Sequence, residues 1–245
     1  MRDPFGIELA GQTVEICSLY EYTEKLCRDY RSEKPTDIVI RILQEDIERE
    51  RGYAAETDAK EGRARVRYSD AYLESLAVYR KIAEAMIDRG TLLFHGSALA
   101  LDGEGYIFTA QSGTGKSTHA RLWRERFGGR AVTVNDDKPL LQLTEDGVFV
   151  CGTPWNGKHH LGTNTSVPVK AICILTRDTT NHIERIDVDE AFAILYQQTY
   201  RSKDPLKLAH TIDLLNRMAG KVALYRLGCN MDMEAAEVAY NAMKG

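Results

Sequence analysis

The 245-residue sequence predicts an α/β fold, on three observations. Segments with the two-residue alternation of strands are interleaved with segments of helical spacing along the chain. From Thr91 the texture turns strongly β, and "TLLFHGSALALDGEGYIFTA" reads as strand, turn at residues 102–105, strand. Immediately after it, "TAQSGTGKST" (109–118) is a glycine-rich loop leading into an amphipathic helix, which is the setting of a phosphate-binding loop.

In chain order, "GIELAGQTVEICS" (6–18) reads as a hairpin, because two short apolar alternations flank an Ala-Gly-Gln turn; "TDIVIRI" offers a further strand. "LYEYTEKLCRDYR" and "LQEDIERER" carry charge at most positions and suit exposed helices. The stretch 52–65, "GYAAETDAKEGRAR", is polar and weakly patterned and reads as a mobile loop. "SDAYLESLAVYRKIAEAMIDRG" is the clearest helix: Ser69 or Asp70 caps it, Leu73, Leu76, Tyr79, Ile82, Ala83, Met86 and Ile87 recur at helical spacing, and Gly90 ends it.

Beyond the loop, "KSTHARLWRERFGG" is a helix stopped by Gly128 and Gly129, and "RAVTVNDDKPLLQLTEDGVFVCGTP" supplies strands around turns. "VPVKAICILTRD" is apolar and β-branched enough for a buried strand. "DVDEAFAILYQQTY" and "DPLKLAHTIDLLNRMAGK" read as helices, "VALYRLG" as a strand and "MDMEAAEVAYNAMK" as a closing helix. The chain then divides into a small α+β segment over 1–90 and a nucleotide-binding domain over 91–245.

Hydrophobic residues make up 43% and charged residues 28%, which allows a packed core and is far from the composition of disorder. Lys plus Arg total 32 against 36 Asp plus Glu, so no global field draws in nucleic acid or an anionic membrane, and any anion site is local. "MRDPFGIELAG" has no apolar core for a signal peptide, and no uninterrupted apolar stretch reaches membrane-spanning length. The expectation is a cytoplasmic protein without nucleic-acid or membrane partners. Cys17, Cys27, Cys151, Cys173 and Cys229 are widely spaced, odd in number and without a C-x-x-C pair, which argues for buried free thiols over a zinc site or disulfides.

The pattern G-x-x-x-x-G-K-[ST] is filled by Ala110, Gln111, Ser112, Gly113, Thr114, Gly115, Lys116 and Ser117, and only the first position departs. Gly113 and Gly115 let backbone N–H groups close round phosphate oxygens, Lys116 neutralises β- and γ-phosphate charge, and Ser117 can ligate Mg²⁺. Ala110 is tolerated if its φ is negative, which is the expectation. The bland alternative is a glycine-rich turn. "AVTVNDDKPLL" then delivers Asp136 and Asp137 to a strand end, where one carboxylate can hold a metal and the other can orient a hydroxyl and accept its proton. The alternative there is a solvated acidic turn. His95, in "LLFHGSALAL", is read alone more simply as a satisfied core histidine.

In order and spacing, "HGSALALDGEGYIFTA", "SGTGKST" and "VNDDKPL" resemble the catalytic domain of HPr kinase/phosphorylase, the bacterial serine kinase, with its histidine-glycine strand, G-D-S-G-x-G-K-S loop and V-A-D-D turn. More distantly they resemble ATP-dependent phosphoenolpyruvate carboxykinase, whose loop wording is the closer of the two. The likeness covers residues 91–145. It implies a P-loop core with a mixed β-sheet and flanking helices, and ATP bound by Lys116 with the backbone of Ser112, Gly113, Thr114, Gly115, Ser117 and Thr118. It also implies Mg²⁺ on Ser117 and Asp136, Asp137 as catalytic base, and His95 beside the reacting phosphate in a supporting role. Family kinases assemble into oligomers, so a homo-oligomer is implied as well. The family's later acidic, glycine-rich signature is replaced by "GTPWNGKHHLGTN", which offers no second metal carboxylate, and the reverse reaction is not carried over. The chain has no room for the second metal site and arginines of a carboxykinase. Overall it resembles a small stand-alone HPr-kinase-like protein, a group that includes kinases of peptide natural-product precursors.

The expectation is therefore an ATP- and Mg²⁺-dependent kinase that phosphorylates a hydroxyl, most simply a serine of a protein or peptide. The alternatives are a kinase of a small-metabolite alcohol or amino acid, and a non-catalytic ATP-sensing module. "PWNGKHH" (154–160) reads either as an acceptor loop, lined by Trp155, Lys158, His159 and His160, or as a surface turn. Adjacent His159 and His160 would point to opposite faces of an extended segment and so would not share a metal ion. Arg121, Arg124, Arg126 and Arg130 suit a solvated face, and Arg201 and Lys203 sit where two helices meet, within reach of acceptor or phosphate. His119, His182 and His210 have no partner that the sequence identifies.

Overall fold

In the computed structural model, which describes residues 2–60, 62, 64, 66–111 and 113–245, the first hairpin forms where the alternation placed it. Ala10 and Gly11, at φ 46° and 71°, turn β1 (Phe5–Leu9) back on β2 (Gln12–Cys17), as a tight hairpin turn requires. β3 (Ile38–Arg41) adds to β2 in parallel, completing a three-stranded sheet. These strands belong to the first of two compact units, Met1–Ala85 and Met86–Gly245.

Three helices complete the first unit: α1 (Glu21–Leu26), α2 (Gln44–Lys60) and α3 (Asp70–Met86). α3 buries Leu73, Ala77, Tyr79, Ile82 and Met86, and the Ser69 hydroxyl accepts the Tyr72 N–H at 3.3 Å at its start. Glu74, fully buried in α3, accepts the backbone N–H groups of Leu19 and Tyr20 and the Thr23 hydroxyl, so it caps α1 from outside. The mobile loop expected from Gly52 is corrected in part: residues 52–60 continue α2. Their alanines, Glu56 and Lys60 favour helix, and side-chain contacts hold what periodicity does not show. Arg80 lies over the Tyr53 ring at 4.6 Å and buried Asp58 accepts the Val66 N–H at 3.1 Å, while Arg80 with Glu50 and Lys81 with Asp46 tie down the first half of the helix. Of the rest of that stretch, Glu61, Arg63 and Arg65 lie outside the described residues.

The second unit is a mixed sheet with helices on both faces. Its elements are β4 (Thr91–Leu93), β5 (Ser97–Leu101), β6 (Glu104–Thr109), α4 (Lys116–Phe127), β7 (Ala131–Asn135), β8 (Leu140–Thr144) and β9 (Gly147–Cys151). There follow β10 (Ser166–Arg177), β11 (His182–Ile186), α5 (Val188–Gln198), α6 (Pro205–Ala219), β12 (Ala223–Cys229) and α7 (Glu234–Met243). The path runs β4-β8-β9-β10-β6-β5-β7, with β12 beside β10 and β11 beside β12. The twelve residues of β10 join its two halves: its start pairs antiparallel with β9, and its end lies parallel between β6 and β12.

Strand alternation decides which helix covers which face. Ile107, Ile172 and Ile174 point to the side of Leu195, Leu214 and Met218 on α5 and α6. Tyr106, Phe108, Cys173 and Leu175 point to the side of Trp123 on α4 and Ala235 and Ala239 on α7. β11 had no sequence signal because its residues are mostly exposed and charged; it is an edge strand held by β12. The helices on the first face are capped by side chains. Asp187 and Glu190 form a capping box on α5, and Asp204 caps α6 ahead of Pro205. All five cysteines are free, four of them buried. Among the described residues no helix is long and apolar enough to cross a membrane.

His119 anchors α4 to the sheet. It is 2% exposed, its ring stands edge-on to Phe108 at 4.5 Å, and its Nε2 accepts the Trp123 Nε1–H at 3.0 Å. Burial pushes its pKa down to about 4. Below about pH 6.5 the unfolded chain therefore takes up a proton that the folded chain refuses. This contribution to stability is complete above that pH and declines by about 1.4 kcal/mol per unit as acidification proceeds toward the folded pKa. Urea unfolding at pH 7.5 and pH 4.5 should show a smaller acid loss for His119→Gln than for the unmodified chain; equal losses would contradict it.

Candidate active site

The glycine-rich turn sits at the end of β6, where the parallel β6, β10 and β12 all finish on one edge. Gly113 and Gly115 have φ of 78° and 123°, a region that side chains with a Cβ avoid, and α4 starts at the next residue. Ala110 is not at positive φ, so the departure at the first position of the pattern strains nothing. Ser112 lies outside the described residues. Lys116 Nζ is 3.3 Å from the Ala110 carbonyl oxygen, folded back along the loop. Burial pulls its pKa down, while the Asp137 charge pushes it up, so loop and acid pair lie within each other's field. Ser117 is exposed and Thr118 half-buried in the first turn of α4.

The acid pair is placed by one side chain that the sequence reading passed over. Asn135, the last residue of β7, is fully buried. Its Oδ1 accepts the N–H groups of Asp137 at 2.9 Å and Lys138 at 2.6 Å, turning the chain sharply after the strand. Its Nδ2 faces Thr153 Oγ1 at 3.0 Å and the carbonyls of Thr153 and Trp155, both at 3.3 Å. The Thr153 hydroxyl donates onward to the Lys138 carbonyl at 3.0 Å. One amide thus fixes the acidic turn and ties it to the segment that follows β9.

That segment reaches the site through its backbone. The Gly157 N–H donates to Asp136 Oδ1 at 2.7 Å, and a Cβ on Gly157 would stand 3.0 Å from Asp136 Oδ2, so glycine allows the approach. Trp155, which lined the acceptor loop in one of the two readings of this segment, is 4% exposed and packed inward. Lys158, His159 and His160 are exposed, with His160 at φ 48°.

His95 is not inside a continuous strand as expected; it stands at a break between β4 and β5. The backbone changes partners there: the His95 N–H goes to the Gln198 carbonyl at 2.7 Å and the Gly96 N–H to the Asp137 carbonyl at 3.0 Å. This break turns the ring toward the acid pair. His95 Nε2 lies 3.3 Å from Asp137 Oδ1, and Lys138 Nζ 3.2 Å from Asp137 Oδ2. Burial works to raise the Asp137 pKa, but the His95 hydrogen bond and the Lys138 charge outweigh it and hold the carboxyl well below the usual carboxylate range.

Lys138 and Arg177 also escaped the sequence reading. Arg177 closes β10, and its Nη2 donates to the Gly113 carbonyl at 2.5 Å, which brings a cation onto the loop. The signals were present: an Asx-type residue directly before an acid pair, and an arginine at the end of an apolar strand. Among the residues set aside, Arg121, Arg126 and Arg130 make exposed ion pairs, and Arg201 lies over the Tyr196 ring at 5.4 Å. His210 faces Asp88 at 3.5 Å, and His182 Nδ1 the Thr180 carbonyl at 3.4 Å. Among the described residues no group of three or more His, Cys, Asp or Glu could hold a metal ion by itself.

Replacing Asn135 by Ala removes the acceptor of the Asp137 and Lys138 N–H groups. It should cost about 2–3 kcal/mol in urea unfolding; an unchanged midpoint would remove the amide from its organising role.

Comparison with known proteins identifies a family, and a low similarity to solved structures. No curated protein matches the chain. Among solved structures it is similar to the HPr(Ser) kinase/phosphatase from Coxiella burnetii, with 11% identity, a TM-score of 0.36, and coverage of 62% of this chain and 99% of that one. The model of the family described as "SynChlorMet cassette protein ScmC" matches residues 69–232, the greater part of the sequence. The chain therefore belongs to the ScmC family of SynChlorMet cassette proteins.

Proposed function

We propose that the chain is an ATP- and Mg²⁺-dependent kinase that transfers the γ-phosphoryl group to a hydroxyl, on a serine of a peptide or protein. The observation that carries this reading is the placement of Asp137. It is an ionised carboxylate held between His95 and Lys138, and close enough to the loop for its charge to bear on Lys116.

The donor set fits a hard cation that arrives with its nucleotide. Ser117 and Asp136 would hold Mg²⁺ together with phosphate oxygens, the mode in which a protein supplies only one or two ligands, and the ion would neutralise charge between the phosphates. Loop amides and Lys116 hold the phosphate chain, and Lys138 and Arg177 add positive charge where the transferring group gains negative charge. Asp137 orients the acceptor hydroxyl. As its oxygen bonds to the γ-phosphorus, the bond from phosphorus to the bridging oxygen breaks and ADP leaves; the hydroxyl proton passes to Asp137. A carboxylate of low pKa suffices because a loose transition state asks for little deprotonation before that bond forms. His95 keeps the carboxylate turned toward the loop. Beside the acid pair the surface is an exposed rim of Lys158, His159, His160 and Leu161, which suits a serine presented on a peptide better than a small metabolite needing enclosure.

Two substitutions separate binding from chemistry. Lys116→Ala should weaken Mg-ATP binding at least about tenfold, by loss of a charge-assisted contact. Asp137→Asn should bind nucleotide within a few-fold of the unmodified chain and lose about 10²-fold or more in transfer. Unweakened binding by the first would overturn the loop assignment, and undiminished turnover by the second would take Asp137 out of the base role.

A further inference from the structure

A groove of about 540 Å³ opens beside the loop on the α4 side, and its lining includes Gly113, Gly115, Thr118, His119, Leu175 and Met231. Its size is that of a small-molecule site. Three points bear on what it takes. Met231, just past β12, is 76% exposed, a large apolar side chain left at the mouth of the groove. His119, in the wall, spends Nε2 on the Trp123 N–H, so the neutral ring carries its own proton on Nδ1, and that buried donor has no partner among the described residues. The third point follows from the loop reading and is direction. The γ end of a bound polyphosphate belongs at Lys116 and the acid pair, so the chain leaves the loop toward Thr118, which lines this groove.

We propose that this groove is the nucleoside subsite, with the base lying against Met231 and Leu175. The inference rests on the reading of residues 110–118 as a nucleotide loop. A second groove of about 340 Å³ on the α5 side, with Gln111, Glu190 and Arg226 in its lining, is the weaker candidate. Its charges already answer one another, Arg226 standing 2.9 Å from Glu184 and 3.7 Å from Glu190, and it includes neither Thr118 nor His119.

The test is calorimetric titration of Mg-ATP and of Mg-tripolyphosphate, which shares the phosphate chain but has no nucleoside. It is run on the unmodified chain and on Met231→Ser and Met231→Leu, changes at an exposed position that leave the fold intact. The unmodified chain should prefer ATP to tripolyphosphate by about tenfold or more, as burial of an apolar base implies. Met231→Ser should weaken ATP by about five- to tenfold, with tripolyphosphate within twofold, and Met231→Leu should restore ATP binding. Equal affinity for the two ligands, or a Met231→Ser loss shared by both or absent for ATP, overturns the subsite and leaves the loop reading standing. If neither ligand binds the unmodified chain, the loop reading itself fails and the subsite with it.

Discussion

The arrangement of the site depends on the satisfaction of one buried amide. Asn135 has no exposure to water, so each of its polar atoms must find a partner in the protein. The only way it does so is by gathering the N–H groups of Asp137 and Lys138 on one side and the oxygens of Thr153 and Trp155 on the other. The acidic turn and the loop after β9 are therefore tied together by hydrogen bonds. With the turn held so, Asp136 meets the Gly157 N–H and Asp137 meets His95.

The two tied segments face the glycine-rich loop because of the sheet. β7 and β6 flank β5, while β10 and β12 run parallel to β6 on its other side. The loop thus has carboxylates at one flank and Arg177, from the end of β10, at the other. Alternation along β6 and β10 divides the core between the two helix layers, and α4 starts where the loop ends, held down by His119 and Trp123. On the nucleotide reading, loop amides and a helix N-terminus with carboxylates to one side and a groove containing Leu175 and Met231 beside the loop would set a polarity for a bound polyphosphate.

Much of this was legible in the sequence. Gly113, Gly115 and Lys116 announce the loop through backbone geometry and charge, and the Asn-Asp-Asp run announces a turn at a strand end. The strands buried on both faces, β6 and the end of β10, were plain because burial forces an apolar, β-branched composition. β11 was hidden because an exposed edge strand has no such constraint, and the second half of α2 because single contacts, Arg80 over the Tyr53 ring and Asp58 on the Val66 N–H, stand there in place of an apolar periodicity. In the site, Lys116, Asp136, Asp137 and His95 were readable, while the charges of Lys138 and Arg177 were passed over. The residue that positions the acid pair was not readable, because the role of Asn135 comes from partners 18 and 20 positions away in the chain. Trp155 could not be assigned for a related reason: a tryptophan in a glycine-containing loop suits binding or packing equally until the fold places it inside.

The central claim, that this site moves a phosphoryl group, is tested most directly by incubating the chain with Mg²⁺ and γ-labelled ATP. The acceptor source is a cell extract separated into macromolecular and small-molecule fractions, with heat-inactivated chain as the control. The account predicts label in a protein or peptide of the macromolecular fraction, stable to acid as a phosphoserine ester is. Label confined to the small-molecule fraction would contradict the peptide acceptor, and tight ATP binding with no transfer to either fraction would contradict the kinase itself and leave a nucleotide sensor in its place.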